Sequence, residues 1–264
     1  MNNEKRDELQ CILVERNIAV LGVMESWTHE KISDAEIEMI GYNVFRKDRN
    51  CEMGKKKRGG GVLLYIREDL VAHELDNDEG KCEAIFVNLN IVGFGNLIMA
   101  VCYRSPSADQ QEVDNMMWKI RKYSNKAAII MGDFNYGDIN WETMDTKAEG
   151  GEFIDLVQDC FLMQHVVFPT RDSNRLVDLV LSTEPGLVEE IEVGSPVANS
   201  DHYTISFKVP IKGYKPYKKI KKVVANLGDE DIKCCSLGSL GGVENLNFHK
   251  ADYEKIDEEL SFFD

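Results

Sequence analysis

Ala127-Ala128-Ile129-Ile130-Met131-Gly132-Asp133-Phe134-Asn135 is the stretch on which the reading of this chain turns. Residues 127–131 form a short apolar run, the pattern of a buried strand. The run ends in a glycine, a carboxylate, an aromatic ring and an amide. Asp133 and Asn135 are two apart on extended backbone, so they share one side of it. The first can hold a proton or a metal, and the second can donate to an anionic oxygen. A second acid-bearing strand end lies downstream, where Ser200-Asp201-His202 opens the alternating stretch Tyr203-Thr204-Ile205-Ser206-Phe207-Lys208-Val209. Two such ends in one chain predict one composite site.

The rest of the chain supplies more strands of the same kind. Residues 18–24 are an apolar run ending at Glu25-Ser26-Trp27, and 41–46 form a shorter strand. The polar loop 51–58 leads through Gly59-Gly60-Gly61 into the strand 62–66. Two further strands, 82–91 and 96–104, flank a Gly93-Phe94-Gly95 turn. More are expected at 164–168, 176–182, 189–193 and 202–209. Helical spacing appears at 4–16, with Leu9, Ile12 and Leu13 on one face, after Pro106 (Val113, Met116, Met117, Ile120, Tyr123), and at 151–161. Nine or ten strands interleaved with three or four helices fit sheets packed face to face with helices outside. Residues 1–210 read as one domain. After Pro210 the composition shifts, so 211–248 read as a linker and 249–264 as an acidic amphipathic helix.

Composition narrows the function. A 264-residue chain that is 43% hydrophobic has enough apolar surface for a substantial core. No apolar run is long enough to cross a membrane as a helix, and the N-terminal residues lack the apolar core of a signal peptide. Seven scattered cysteines without a CxxC pair read as reduced thiols in an intracellular protein, and the five histidines do not join them in a zinc pattern. A net charge of −15 argues against a simple nucleic-acid coat, which needs Lys and Arg to neutralise phosphates. An enzyme acting on nucleic acid needs only a local basic rim. Lys55-Lys56-Lys57-Arg58, or the lysines at 215, 218, 219, 221 and 222, could supply one, or could be solvated loop and linker.

Chemistry-bearing residues sit at four strand ends: Glu25, Asp133 with Asn135, Asp178, and Asp201 with His202. Asp178 lies inside Leu176-Val177-Asp178-Leu179-Val180-Leu181. A carboxylate in such a run is costly unless it is paired or metal-bound. Taken singly, each of these residues has an ordinary structural explanation, such as a salt bridge, a cap or a satisfied core histidine. Together they are what metal-assisted phosphoester hydrolysis requires: hard oxygen ligands for Mg²⁺, a carboxylate-oriented His to deprotonate water, and an Asn donor for phosphoryl oxygens.

At these residues the chain resembles the endonuclease/exonuclease/phosphatase family, and within it the apurinic-type endonuclease domain of non-LTR retrotransposons. The landmarks run in order through Glu25-Ser26-Trp27, Arg58-Gly59-Gly60-Gly61-Val62, Tyr103-Arg104-Ser105-Pro106, Gly132-Asp133-Phe134-Asn135, Pro169-Thr170-Arg171, Val177-Asp178-Leu179-Val180 and Ser200-Asp201-His202. The resemblance implies an α/β fold, a DNase I-like four-layer sandwich of two mixed sheets flanked by helices. It implies a Mg²⁺-dependent phosphodiesterase that nicks double-stranded DNA, with Mn²⁺ as a substitute ion. Glu25 would hold the metal, with Asp201 assisting. Asp178 would pair with His202. Asp133 would orient the attacking water or protonate the leaving oxygen. Asn135 and Tyr103 would bind the phosphate, and Arg104, Thr170 and Ser200 would contact the DNA. A reverse transcriptase in the parent element, a nuclear location and no membrane association follow from the same resemblance.

The family begins with a strand bearing an Asn that faces the metal. This chain is expected to start at the following helix and to lack that strand, exposing a sheet edge. Two alternatives therefore stand beside the nuclease: a catalytically dead remnant that binds nucleic acid or protein, and a phosphatase of the same superfamily.

Overall fold

Strand parity explains how this chain stacks into layers. The structure is a computed structural model describing residues 3–49, 59–75, 82–147, 149–198 and 200–211, with side chains from Arg6 onward. The chain divides into two units, Met1–Lys218 and Lys219–Asp264, and all described residues lie in the first. The loop 51–58, the proposed linker after 211 and the helix 249–264 lie outside the described residues.

In chain order the elements are α1 (Asn3–Glu15), β1 (Val20–Met24), α2 (Asp34–Ile37), β2 (Tyr42–Lys47), β3 (Val62–Arg67), β4 (Val71–Leu75), β5 (Glu83–Ile91) and β6 (Gly95–Tyr103). They continue with α3 (Gln110–Tyr123), β7 (Ala128–Asp133), the two-residue strands β8 (Ile139–Asn140) and β9 (Asp145–Thr146), and α4 (Gly151–Asp159). The last four are β10 (Met163–Gln164), β11 (Asp178–Ser182), β12 (Glu189–Gly194) and β13 (Thr204–Lys208). A six-stranded sheet runs β10-β11-β7-β6-β5-β4, and a three-stranded sheet runs β1-β3-β2. The pairs β12-β13 and β8-β9 stand as separate two-stranded sheets. Only β6 and β7 pair in parallel in the large sheet, with α3 as the crossover between them.

In β6, Ile98, Ala100 and Cys102 fall in one apolar cluster, while Leu97, Met99, Val101 and Tyr103 fall in another. Successive side chains on a strand point to opposite faces, so a strand apolar at both parities is buried on both. β7 repeats the split, with Ala128 and Ile130 on one face and Ile129 and Met131 on the other. The first cluster joins the large sheet to α3 and α4, and the second joins it to the small sheet. In β3, Val62, Leu64 and Ile66 belong to that second cluster, while Leu63 and Tyr65 join Leu9 and Leu13 of α1 in a third. Three apolar interfaces separate four layers. The α/β sandwich is thus present, with helices outside two mixed-order sheets.

The helices follow from their own sequences. Asp109 caps α3 by accepting from the Glu112 N–H at 2.9 Å, within a capping box. Val113, Met116, Ile120 and Tyr123 form its buried stripe. In α4, Phe153 meets Phe134 at 4.9 Å, Tyr136 at 5.0 Å and Trp141 at 6.4 Å between ring centroids. Phe153→Ala should therefore lower unfolding free energy by about 3–5 kcal/mol, measured by urea denaturation. A loss below about 1 kcal/mol would show that this aromatic cluster does not carry the outer layer. No helix among the described residues is long and apolar enough to cross a membrane.

Among the described residues β1 pairs only with β3, and β13 only with β12. A cavity of about 1380 Å³ lies between them, floored by Leu89, Met99 and Val180 of the large sheet. Glu25, Asp178, Ser200 and His202 line it as well.

Candidate active site

The same parity that builds the core aims the acids. Asp133 continues the face of Ile129 and Met131, Tyr103 that of Val101, and Asp178 that of Val180. Register then sets them in one row, with Asp178 opposite Asp133 and Asp133 opposite Tyr103 across β11, β7 and β6. Phe134, of the other parity, drops into the helix-side core. Gly132 permits the row. A Cβ there would lie 1.9 Å from the Cys102 carbonyl oxygen, and its φ is +157°.

Asp178 and His202 are joined directly, the His202 Nδ1–H donating to Asp178 Oδ2 at 2.8 Å. The Ser200 hydroxyl accepts from the His202 backbone N–H at 3.1 Å. Thr170 locks this arrangement from beneath. Its hydroxyl accepts the backbone N–H groups of Val177 (3.2 Å) and Asp178 (3.1 Å), and its carbonyl accepts from Tyr203 (2.9 Å). One residue thus ties the start of β11 to the start of β13. Arg171 pairs with Asp201, Nε to Oδ2 at 2.6 Å, and this bond holds the Asp201 carboxyl below its usual range.

Glu25 approaches from the small sheet. The Tyr103 hydroxyl donates to its Oε1 at 2.6 Å and the Trp27 indole N–H to its Oε2 at 3.3 Å. Burial, reinforced by the neighbouring Glu25 carboxylate, raises the Tyr103 pKa, so the phenol stays a donor. Glu25 and Trp27 hold φ near +50° and +57°, and Asn135 near +54°, a region costly for residues with a Cβ. Asn135 donates its backbone N–H to Asp133 Oδ1 (3.1 Å) and one hydrogen of Nδ2 to the Arg104 carbonyl (2.9 Å).

Ligand atoms of Asp133, Asp178 and His202 all lie within 4.8 Å of one another. Both carboxylates are nearly fully buried. Burial first, and then the facing Asp178 carboxylate, push the Asp133 pKa up to about 7. The bond to Asp178 raises that of His202. Two crowded buried carboxylates with an imidazole are a donor set that fits a hard divalent cation, whose charge would relieve their repulsion.

The sign for stability follows. Asp133 binds its proton more tightly folded than unfolded, so between pH 3.8 and about 7 stability falls as pH rises. Above that window the ionised carboxylate destabilises the metal-free fold. Asp133→Asn should raise Tm at pH 8 by roughly 5–10 °C and change it little near pH 4. A Tm unchanged or lowered at pH 8, by differential scanning fluorimetry in EDTA, would contradict this.

Comparison with known proteins bears on the fold. Residues 97–206 match the family model described as endonuclease-reverse transcriptase. The matched segment runs from β6 into β13. It contains Tyr103, Asp133, Asn135, Asp178 and His202, while Glu25 precedes it. The solved endonuclease domain of TRAS1, a telomere-specific non-LTR retrotransposon, superposes with a TM-score of 0.60 at 17% identity, over 80% of this chain and 94% of that one. An endonuclease/exonuclease/phosphatase family protein from Leptotrichia buccalis C-1013-b superposes at 0.55 and 16% identity, over 80% and 95%. The human Nocturnin catalytic domain with a bound sulfate anion does so at 0.50 and 14% identity, over 79% and 88%. These likenesses establish the DNase I-like fold. No curated protein sequence matches the chain.

Measured against the sequence reading, the structure brings together Asp133, Asp178 and His202, flanked by Asn135 and Tyr103. Glu25 reaches Tyr103 rather than the three-residue cluster. Three placements differ from expectation. Thr170 is fully buried and spent on backbone, so it supports β11 instead of facing DNA. Arg104 follows Tyr103 and by pleat alternation turns to the opposite face, stacking 4.0 Å over Tyr136 and donating to Glu149 at 2.9 Å. Asp201 turns to Arg171. Sequence reasoning gave no role to Arg171, although it stood in the quoted Pro169-Thr170-Arg171 motif.

Proposed function

We propose that this chain is a divalent-metal-dependent phosphodiesterase that nicks double-stranded DNA, the endonuclease part of an element that also encodes a reverse transcriptase. The observation that carries the reading is the Asp133–Asp178–His202 cluster, whose two carboxylates are buried and whose Asp178 and His202 line the same cavity as Glu25. Asp178 fixes the His202 ring, leaving Nε2 to meet a substrate proton or phosphoryl oxygen. Asp133, ionised, accepts the proton of the attacking water. Asn135 donates to a phosphoryl oxygen, and the Tyr103 hydroxyl keeps the Glu25 carboxylate in place. Glu25, together with the crowded carboxylates, would hold Mg²⁺ or Mn²⁺, and a bound cation supplies charge neutralisation at the phosphate. The element's work on chromosomal DNA implies a nuclear site of action.

The test is supercoiled plasmid with Mg²⁺ against EDTA. Open circles bearing polymerase-extendable 3′-hydroxyl ends are expected with Mg²⁺ and none with EDTA. Nicking that persists in EDTA would sink the reading. A second reading, a domain that binds nucleic acid or protein without turnover, is favoured by the outer edge of β1, which has no partner strand among the described residues. Retained duplex binding with no nicking at any Mg²⁺ level would support it.

A further inference from the structure

Arg49 and Glu83 form an ion pair that is almost entirely buried, with side-chain exposures of 9% and 6%. The guanidinium donates Nε to Oε1 and Nη2 to Oε2, the latter at 3.2 Å. Replacing such a pair with apolar residues is often neutral or stabilising, so stability alone does not explain it. What surrounds it suggests another use. Glu83 Oε2 also accepts the Gly61 N–H at 3.1 Å. The guanidinium lies so close to the turn that a Cβ on Gly60 would sit 2.4 Å from Arg49 Cζ. Gly59, Gly60 and Gly61 all hold positive φ, and their carbonyls hold the next turn, Gly61 accepting from Ser26 (3.1 Å) and Gly60 from Trp27 (2.8 Å). That turn carries Glu25 and Trp27 in their costly left-handed conformations. On its other side the guanidinium faces the Tyr103 ring at 5.7 Å, and Glu83 stands opposite Tyr103 in register. Tyr103 donates to Glu25. Two arms therefore lead from one buried pair to the same carboxylate, one through the glycine turn and one through the phenol.

We infer that the Arg49–Glu83 pair is the positioning element for Glu25, setting the carboxylate where a divalent cation binds. The inference rests on the reading of Glu25 as a metal-holding residue. Both residues are positioning residues, since neither reaches the cavity cluster.

The test is Mn²⁺ binding to the full chain without DNA, followed by electron paramagnetic resonance of free Mn²⁺. Glu25→Gln and Glu83→Gln are each expected to weaken binding 10–100-fold, as loss of outer partners of metal ligands does. The double variant should bind no worse than Glu25→Gln alone, because both changes act through one carboxylate. Asp69→Asn, which breaks the remote Arg67–Asp69 pair, should leave affinity unchanged. A merely structural pair would lower Tm in Glu83→Gln while leaving Mn²⁺ affinity at the wild-type value, and that result overturns the inference. Wild-type affinity in Glu25→Gln overturns the underlying reading and the inference with it. If Glu83→Gln does not fold, Arg49→Lys carries the same comparison, keeping the charge and losing the second guanidinium bond.

Discussion

His202→Ala lowers the rate of Mg²⁺-dependent plasmid nicking by about 10³-fold, within the range for loss of a positioned acid–base group. The ring is 26% exposed and its loss leaves buried Asp178 unpaired, so Tm is expected to fall, and rates are compared below the unfolding transition with folding checked by circular dichroism. Asp178→Asn should also fall well below wild type, because an amide in place of the carboxylate changes which imidazole nitrogen carries the proton. The pair should behave as a unit: the double variant is expected to lose little beyond the worse single variant. Rates within 10-fold of wild type in His202→Ala, measured as initial open-circle formation, would remove the imidazole from the chemistry.

Gly132→Ala abolishes folding, with a cost above about 4 kcal/mol, the level reserved for a few identifiable mechanisms. The added methyl meets backbone, the Cys102 carbonyl oxygen at 1.9 Å, and backbone in the centre of a sheet cannot step aside. Gly22 is the control. A Cβ there meets the end of the Met131 side chain at 2.9 Å, and a flexible thioether can move. Gly22→Ala should cost about 1–2 kcal/mol, the usual toll of modest overpacking. Equal stabilities for the two variants, by urea titration or soluble yield, would show that the β6–β7 approach is looser than described.

The contrast between these glycines shows what a one-dimensional reading reaches. The run 127–131 announced a buried strand, and two-residue spacing put Asp133 and Asn135 on one side. Strand parity in β6 and β7 was equally visible, because both faces are apolar along the sequence. The polar, alternating β4 (Val71–Leu75) was missed, since an exposed edge strand lacks an apolar run. The strand expected over 164–168 shortens to Met163–Gln164, where the Gln164 side chain bonds the Val166 backbone and ends regular pairing. Pairings between distant residues stayed hidden altogether. Nothing local to Arg49 points to Glu83, and nothing local to Asp201 says that Arg171 takes it. Arg104 shows the cost of ignoring parity: adjacent to Tyr103, it necessarily faces the other layer.

The account stands most directly on one comparison, wild type against Asp133→Asn in Mg²⁺-dependent plasmid nicking, with Tm recorded on the same preparations. Relief of the buried charge makes the metal-free variant the more stable protein at pH 8, so lost activity cannot be assigned to unfolding. A more stable Asp133→Asn protein with nicking reduced at least about 100-fold is the expected result. Nicking at the wild-type rate by that variant would contradict the assignment of this cluster as the active site.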